Sequence, residues 1–136
     1  MKNLRNISAI VLIMFGLSQM SIANTSSDAL INEIASAIKK GSAGNLSNHF
    51  ASSIELLLPG NEGTYSRKQA EVMLRSFFNK NQSNGFSVNH RGSSRDGSKY
   101  AIGTYKAKNG KSFRAYYLVK KVSNSFQLHQ LQFEEQ

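Results

Sequence analysis

The apolar residues of this chain change their spacing at Gly85, and this change constrains the fold more than any other feature of the sequence. Before Gly85 they follow the i, i+3, i+4, i+7, i+8 spacing of a helix with one buried face, at Ala70, Met73, Leu74, Phe77 and Phe78. Ser66 and Gln69 stand three residues apart, as in a capping box. After Gly85 apolar and polar residues alternate, which indicates β-strands.

Three turn signals divide the region after Gly85 into four strands. Asp96-Gly97 and Asn109-Gly110 are typical of two-residue hairpins, because such turns need residues that tolerate positive φ. Asn124-Ser125 predicts a looser turn. The first predicted strand starts at Phe86 and the second covers Lys99–Ala107. The third starts at Phe113, and the last covers Phe126–Glu134. They form an antiparallel meander.

The region before the capped helix is predicted to contain two helices and one strand. The spacing predicts a helix over Ser27–Lys40, a short helix over Asn45–Phe50, and a strand over Ser53–Leu58 that ends at the Pro59-Gly60 turn. Helices segregated from an antiparallel sheet define the α+β class. We therefore expect helices packed on a curved antiparallel sheet, made of the four-strand meander and one earlier strand.

The first 23 residues have the pattern of a secretory signal peptide. Lys2 and Arg5 precede an apolar run over residues 7–17, and Ser21-Ile22-Ala23 is a small-x-small cleavage site. The run is shorter than the roughly 20 apolar residues that span a bilayer, and no later stretch approaches that length. We expect cleavage near Ala23 and export of residues 24–136, as one domain without a transmembrane span, to the periplasm or the medium.

Three motifs resemble those of a known superfold. They are Tyr65 to Ala70 leading into Phe77-Phe78, Phe86-x-Val88-x-His90-x-Gly92, and Tyr100 to Gly103. Over about residues 27–135 the chain resembles the nuclear transport factor 2-like (cystatin-like) superfold, and within it a family of small exported bacterial proteins known only as a domain of unknown function. The resemblance implies a cone with a pocket at its wide mouth, used by isomerases, dehydratases and non-catalytic proteins. It also implies an open sheet face that often pairs with a second subunit, so a homodimer is compatible with this sequence.

The sequence contains few candidate catalytic residues. His90 shares the alternation of Phe86 and Val88, and His129 that of Leu131 and Phe133, so both are expected to face the cone, where either could act as a general base. Neither has an evident orienting carboxylate. A cavity enzyme of isomerase, dehydratase or hydrolase type stays open as an alternative, but the balance favours a protein without catalysis.

Nothing in the sequence indicates a metal or a cofactor. The chain has no Cys, and its three His are scattered without the spacing of ligand pairs. The leading hypothesis is an exported, non-catalytic binding or accessory domain with a pocket for a small, partly apolar ligand. Aromatic residues around the cone would form this pocket together with His90: Phe77, Phe86, Tyr100 and Tyr117.

Positive charge provides a further alternative. The chain has 17 Lys+Arg against 8 Asp+Glu. The residues predicted to form an anion-binding surface on the meander are Arg91, Arg95, Lys106, Lys108, Lys111 and Arg114. Such a surface could hold an anionic envelope polymer or a membrane surface, whereas export argues against intracellular nucleic acid. Lysines on strand edges also block aggregation, which explains the same charge without a partner.

Overall fold

The computed structural model describes residues 26–136, so the predicted signal peptide lies outside the described residues. The described elements are, in chain order, α1 Ser27–Lys40, α2 Ala43–Ser47, β1 Phe50–Leu58, β2 Asn61–Ser66, α3 Arg67–Lys80, β3 Ser83–Ser93, β4 Lys99–Ala107, β5 Ser112–Val122 and β6 Ser125–Glu135. The α+β class with helices packed on a curved sheet is confirmed.

The two long helices begin and end at side chains and backbone conformations that satisfy their free ends. Ser26 accepts a hydrogen bond from the third residue of α1, and Gly41 ends this helix in the left-handed conformation that glycine adopts without strain. The predicted capping box of α3 is present, because Ser66 and Gln69 each bond to the other's backbone N–H. The caps fix the start of α3 directly after β2.

The six strands form one sheet in the order β2-β1-β6-β5-β4-β3. The predicted meander of β3 to β6 is antiparallel throughout. β1 pairs with β6 in parallel, so the sheet is mixed rather than purely antiparallel. β2 forms an antiparallel hairpin with β1 and was not predicted from the sequence, because its residues are exposed or half-buried and show no apolar alternation.

The predicted short helix is displaced by a few residues. α2 covers Ala43–Ser47, because Ser42 caps it by accepting a hydrogen bond from the backbone of Asn45. Phe50, expected at its end, is the first residue of β1 and pairs with Leu128 of β6. The prediction of Asn45–Phe50 was therefore wrong at both ends.

An aromatic cluster fills the space between the sheet and the helices. Its rings belong to α3 and to the inner faces of β4, β5 and β6, with centroids 4.8 to 6.2 Å apart: Phe77, Phe78, Tyr105, Phe113 and Phe133. Each ring is at most 7% exposed. Because these side chains occupy the interior of the cone, open space is left at its end rather than along its axis.

Candidate functional site

A pocket of about 370 Å³ opens where α3 ends against the sheet. It lies between the last turns of α3, the β1–β2 turn, the start of β5 and the end of β6. Its lining residues are Leu58, Pro59, Asn61, Val72, Met73, Ser76, Phe77, Lys80, Asn81, Lys111, Phe113 and Glu135. The pocket therefore lies between the helix that carries Phe77 and the sheet.

The pocket combines an apolar interior with a charged rim. Leu58, Phe77 and Phe113 are buried and provide the apolar wall. Lys80, Lys111 and Glu135 contribute the charges, and the Lys111 ammonium lies 3.9 Å from the Glu135 carboxylate. Such a combination of apolar surface with a few polar groups is typical of small-molecule sites.

A buried asparagine fixes the wall of the pocket. Asn81 donates from its backbone and side chain to the Phe77 carbonyl, at 2.8 and 3.2 Å. Its own carbonyl accepts the Tyr105 hydroxyl at 2.6 Å, and its side-chain oxygen accepts Asn109 at 2.8 Å. These bonds connect the end of α3 to β4 and to the β4–β5 turn, so hydrogen bonds join the elements that form this wall of the pocket.

Of the residues predicted to bind a ligand, the structure brings Phe77 to this pocket. Phe86 lies on the inner face of β3, where its ring packs beside Gly103 of β4. Tyr117 is completely buried, and its hydroxyl donates to the Ile31 carbonyl of α1. The prediction that Tyr117 lines an open cavity was therefore wrong, because α1 covers it.

His90 and Tyr100 lie on the outer face of the sheet. A bulge at Asn89 adds one residue to β3, so Val88 pairs with Gly103 but His90 pairs with Ile102. The prediction that His90 faces the cone together with Val88 was therefore wrong. The ring of His90 instead contacts Tyr100, with the Nε2 atom 3.3 Å from the Tyr100 hydroxyl.

A second bulge displaces His129 in the same way. Leu118 pairs with Gln130 and Val119 with Leu128, which leaves His129 as the extra residue of β6. It therefore does not share the inner face with Leu131 and Phe133, as the alternation had predicted. Its Nε2 atom is buried and has no hydrogen-bond partner within residues 26–136.

The surroundings of His129 favour a neutral imidazole. The ring lies in a small outer-face depression together with Glu55 and Lys120. Partial burial lowers the pKa of His129 below its ordinary value, the positive charge of Lys120 lowers it further, and Glu55 opposes both effects. A neutral imidazole beside a carboxylate is chemically suited to act as a base, but it lies on the face opposite to the pocket.

The predicted basic surface is divided among several parts of the molecule. Arg91 lies on the inner side of β3 and donates to Asn32 of α1 at 2.6 Å. Arg95 belongs to the β3–β4 connection and Lys108 to the β4–β5 turn, and Lys111 is on the pocket rim. The remaining two, Lys106 and Arg114, lie on the outer face of β4 and β5. The six residues therefore do not form one continuous surface.

Metal clusters and membrane-spanning helices are both absent from the described part of the chain. Residues 26–136 contain no group of three or more His, Cys, Asp or Glu side chains placed to hold a metal ion. Within the same residues no helix has the length and apolarity needed to cross a membrane.

Several pocket residues were not predicted from the sequence. Met73 belongs to the predicted buried face of α3 and Lys80 is the last residue of the same helix, but no sequence pattern indicated that either lines a pocket. Leu58 and Glu135 reach the pocket through the parallel pairing of β1 with β6, which joins distant parts of the chain. No local pattern reports such a pairing.

The curved sheet and the helices packed on it in residues 26–136 define the nuclear transport factor 2-like fold class. Solved structures support this class: an NTF-2 like protein of unknown function from Silicibacter pomeroyi has 14% identity and a TM-score of 0.55, over 80% of this chain and 92% of that one. Within the class, residues 31–134 match the domain of unknown function DUF4783, and the chain belongs to this family.

Solved members of the family are considerably more similar. The family protein of Bacteroides ovatus ATCC 8483 is 32% identical, with a TM-score of 0.71 over 76% of this chain and 93% of that one. The protein of Bacteroides fragilis YCH46 is 31% identical, with a TM-score of 0.70 over 76% and 96% of the two chains. No curated protein matches the sequence.

Proposed function

We propose that this protein is an exported binding or accessory domain whose pocket beside α3 holds a small, partly apolar ligand. One observation carries the proposal: the pocket places buried apolar side chains behind a rim of charged ones. Its volume, about 370 Å³, lies within the range of about 300–1,000 Å³ that is common for ligand pockets. The fold class, whose members commonly bind small ligands, supports the same function.

Native mass spectrometry of the protein purified from its own host tests this function. We expect an additional mass that disappears on denaturation. Ser76 is an exposed residue of the pocket lining, and Ser76→Trp should fill the pocket and abolish the additional mass. Lys68→Trp, on the same helix but outside the lining, is the matched control and should retain it. An additional mass that persists in Ser76→Trp would place the ligand elsewhere.

Export is proposed from the first 23 residues alone. A basic start, a short apolar run and a small-x-small site act together as a secretion signal. Amino-terminal sequencing of the protein from separated cell fractions tests it. We expect a chain that begins near Asn24 outside the cytoplasm, and an intact amino terminus in the cytoplasmic fraction would contradict export.

A homodimer formed through the outer sheet face is a second proposal. Apolar side chains lie at the centre of this face, on β1, β4 and β5: the half-buried Leu57, Tyr100, Ile102 and Tyr116, and the buried Leu118. The acidic residues Glu55 and Glu62 lie toward the β1–β2 side, and the basic residues Lys106 and Arg114 toward the β4–β5 side. Within residues 26–136, nothing covers this face.

The charge distribution favours a second copy as the partner. A two-fold axis parallel to the strands, between β5 and β6, would place the acidic side of each copy over the basic side of the other. Light scattering coupled to gel filtration should therefore show a dimer. Arg114→Glu should weaken it. Lys68→Glu, on α3, is the matched charge reversal and should have no effect. A monomeric wild-type protein at high concentration would contradict the proposal.

The other two functions predicted from the sequence receive less support. Binding to an anionic envelope polymer or membrane surface requires a continuous basic surface, and the six candidate residues are divided between faces and ends of the domain. A cavity enzyme using His90 or His129 requires these residues near the pocket, and both lie on the outer face. The pocket lining contains no histidine.

A further inference from the structure

We infer that the pocket beside α3 selects an amphipathic monocarboxylate, such as a fatty acid of medium length, over the corresponding neutral compound. The inference rests on the proposed function, because it concerns the same pocket, and adds the chemical class of the ligand. It rests on three observations: the balance of charge around the rim, the hydrogen bonds to two carbonyl groups at the end of α3, and the apolar residues at the opening of the pocket.

The rim carries one uncompensated positive charge. Lys111 and Glu135 face each other at 3.9 Å, so the two charges largely cancel. Lys80 is the second ammonium group of the lining, and within residues 26–136 no carboxylate lies at salt-bridge distance from it. A ligand with a single carboxylate would neutralise Lys80, whereas a dianion would also be repelled by Glu135.

Part of the helix end at the pocket already has hydrogen-bond partners. The carbonyl end of a helix repels anions, because its last carbonyl groups have no partners within the helix. In α3 the Phe77 carbonyl accepts two hydrogen bonds from Asn81, and the Lys80 carbonyl accepts one from the Asn109 side chain at 3.3 Å. The two asparagines thus reduce the repulsion that an anion beside Lys80 would meet.

The opening of the pocket suits an extended apolar chain. Val72 lines the pocket and is 58% exposed, an unusual exposure for a large apolar side chain in this protein. Met73 and Phe77 continue the apolar surface from Val72 to the core. A tail running from the opening toward Phe77 would cover Val72 and leave its carboxylate at the lysine on the rim.

Sodium octanoate and 1-octanol, which differ in the charge of the head group, test the inference. Titration of the isotope-labelled protein, followed by NMR, reports binding through the signals of Met73, Phe77 and Phe113. We expect octanoate to bind about tenfold more tightly than octanol, a difference of about 1.4 kcal/mol. Lys80→Met should remove this preference, whereas Lys68→Met, the same substitution outside the pocket, should retain it.

The outcomes separate the ligand class from the pocket itself. Equal affinities for the two compounds, with shifts confined to the pocket, would overturn the selection of a carboxylate and leave the pocket as a binding site. A preference for octanoate that persists in Lys80→Met would overturn the role of this lysine in selecting the carboxylate, and would also leave the pocket as a binding site. If neither compound shifts the three pocket signals, both the inference and the proposed apolar pocket are contradicted.

Discussion

The hydroxyl of Tyr117 donates a hydrogen bond of 2.9 Å to the backbone carbonyl of Ile31, which joins β5 to α1 across 86 positions of the chain. Both residues are buried, and the bond gives the phenol a partner in an otherwise apolar environment. At the other end of the cone, the Tyr105 hydroxyl donates a hydrogen bond to the backbone carbonyl of Asn81. The two tyrosines therefore connect the sheet to α1 and to the end of α3.

Tyr117→Phe should lower the free energy of unfolding by about 1 kcal/mol, since the substitution removes one buried hydrogen bond while retaining the ring. Urea unfolding followed by circular dichroism measures this change. Tyr116→Phe is the matched control, because the Tyr116 side chain lies on the half-exposed outer face. An equal loss of stability in both variants would show that the bond to Ile31 has no special contribution.

The same tyrosine should make stability depend on alkaline pH. Burial raises the pKa of Tyr117 above its ordinary value of 10.0, with a smaller opposing effect from Arg91. The folded protein thus holds this proton more tightly than the unfolded chain does, so the contribution is complete below pH 10 and decreases as the pH rises above it. Urea midpoints at pH 8 and about pH 11 should differ less for Tyr117→Phe than for the wild type. Equal decreases would contradict this linkage.

Gly103 should tolerate no side chain. A Cβ atom there would collide with the Ser87 carbonyl and with the Phe86 ring, which would lie 2.6 Å away. We expect Gly103→Ala to destabilise the protein by about 1–3 kcal/mol, because β3 and Phe86 would have to move. Gly63→Ala is the control, since its new methyl group meets the flexible Tyr65 ring at 3.3 Å, and thermal unfolding compares the two. If Gly103→Ala left the stability unchanged, β3 and β4 would have to move apart at little cost in free energy, which would contradict this prediction.

His129 should titrate below the ordinary range for histidine. Burial and Lys120 lower its pKa, and Glu55 raises it. Because the folded pKa is lowered, this group stabilises the protein above the unfolded value of about 6.5, and the contribution is lost as the pH falls through the folded value. NMR titration of the imidazole carbons should show Lys120→Met raising the pKa and Glu55→Gln lowering it. An unchanged midpoint in both variants would contradict the outer-face placement of His129.

The interior face of each strand was predictable only as far as the alternation stayed regular. Tyr116 and Tyr117 lie on opposite faces, as their positions in β5 predict. His90 and His129 do not follow the alternation, because β3 and β6 each contain one extra residue. This residue moves the neighbouring side chains of the strand to the opposite face of the sheet. A bulge within a polar stretch does not change the pattern of apolar residues. The sequence therefore assigned the two histidines beside the bulges to the wrong face of the sheet.

The sequence by itself determined α1, α3 with its capping box, the antiparallel meander and the α+β class, because these depend on the spacing of neighbouring residues and on turns such as Asn109-Gly110. The tertiary structure alone decided that β1 lies parallel to β6, that β2 extends the sheet, and that Leu58, Lys80 and Glu135 meet around one pocket. The physical reason is the range of the interactions: local periodicity and capping act within a few residues, whereas the pocket forms where the ends of distant elements pack together.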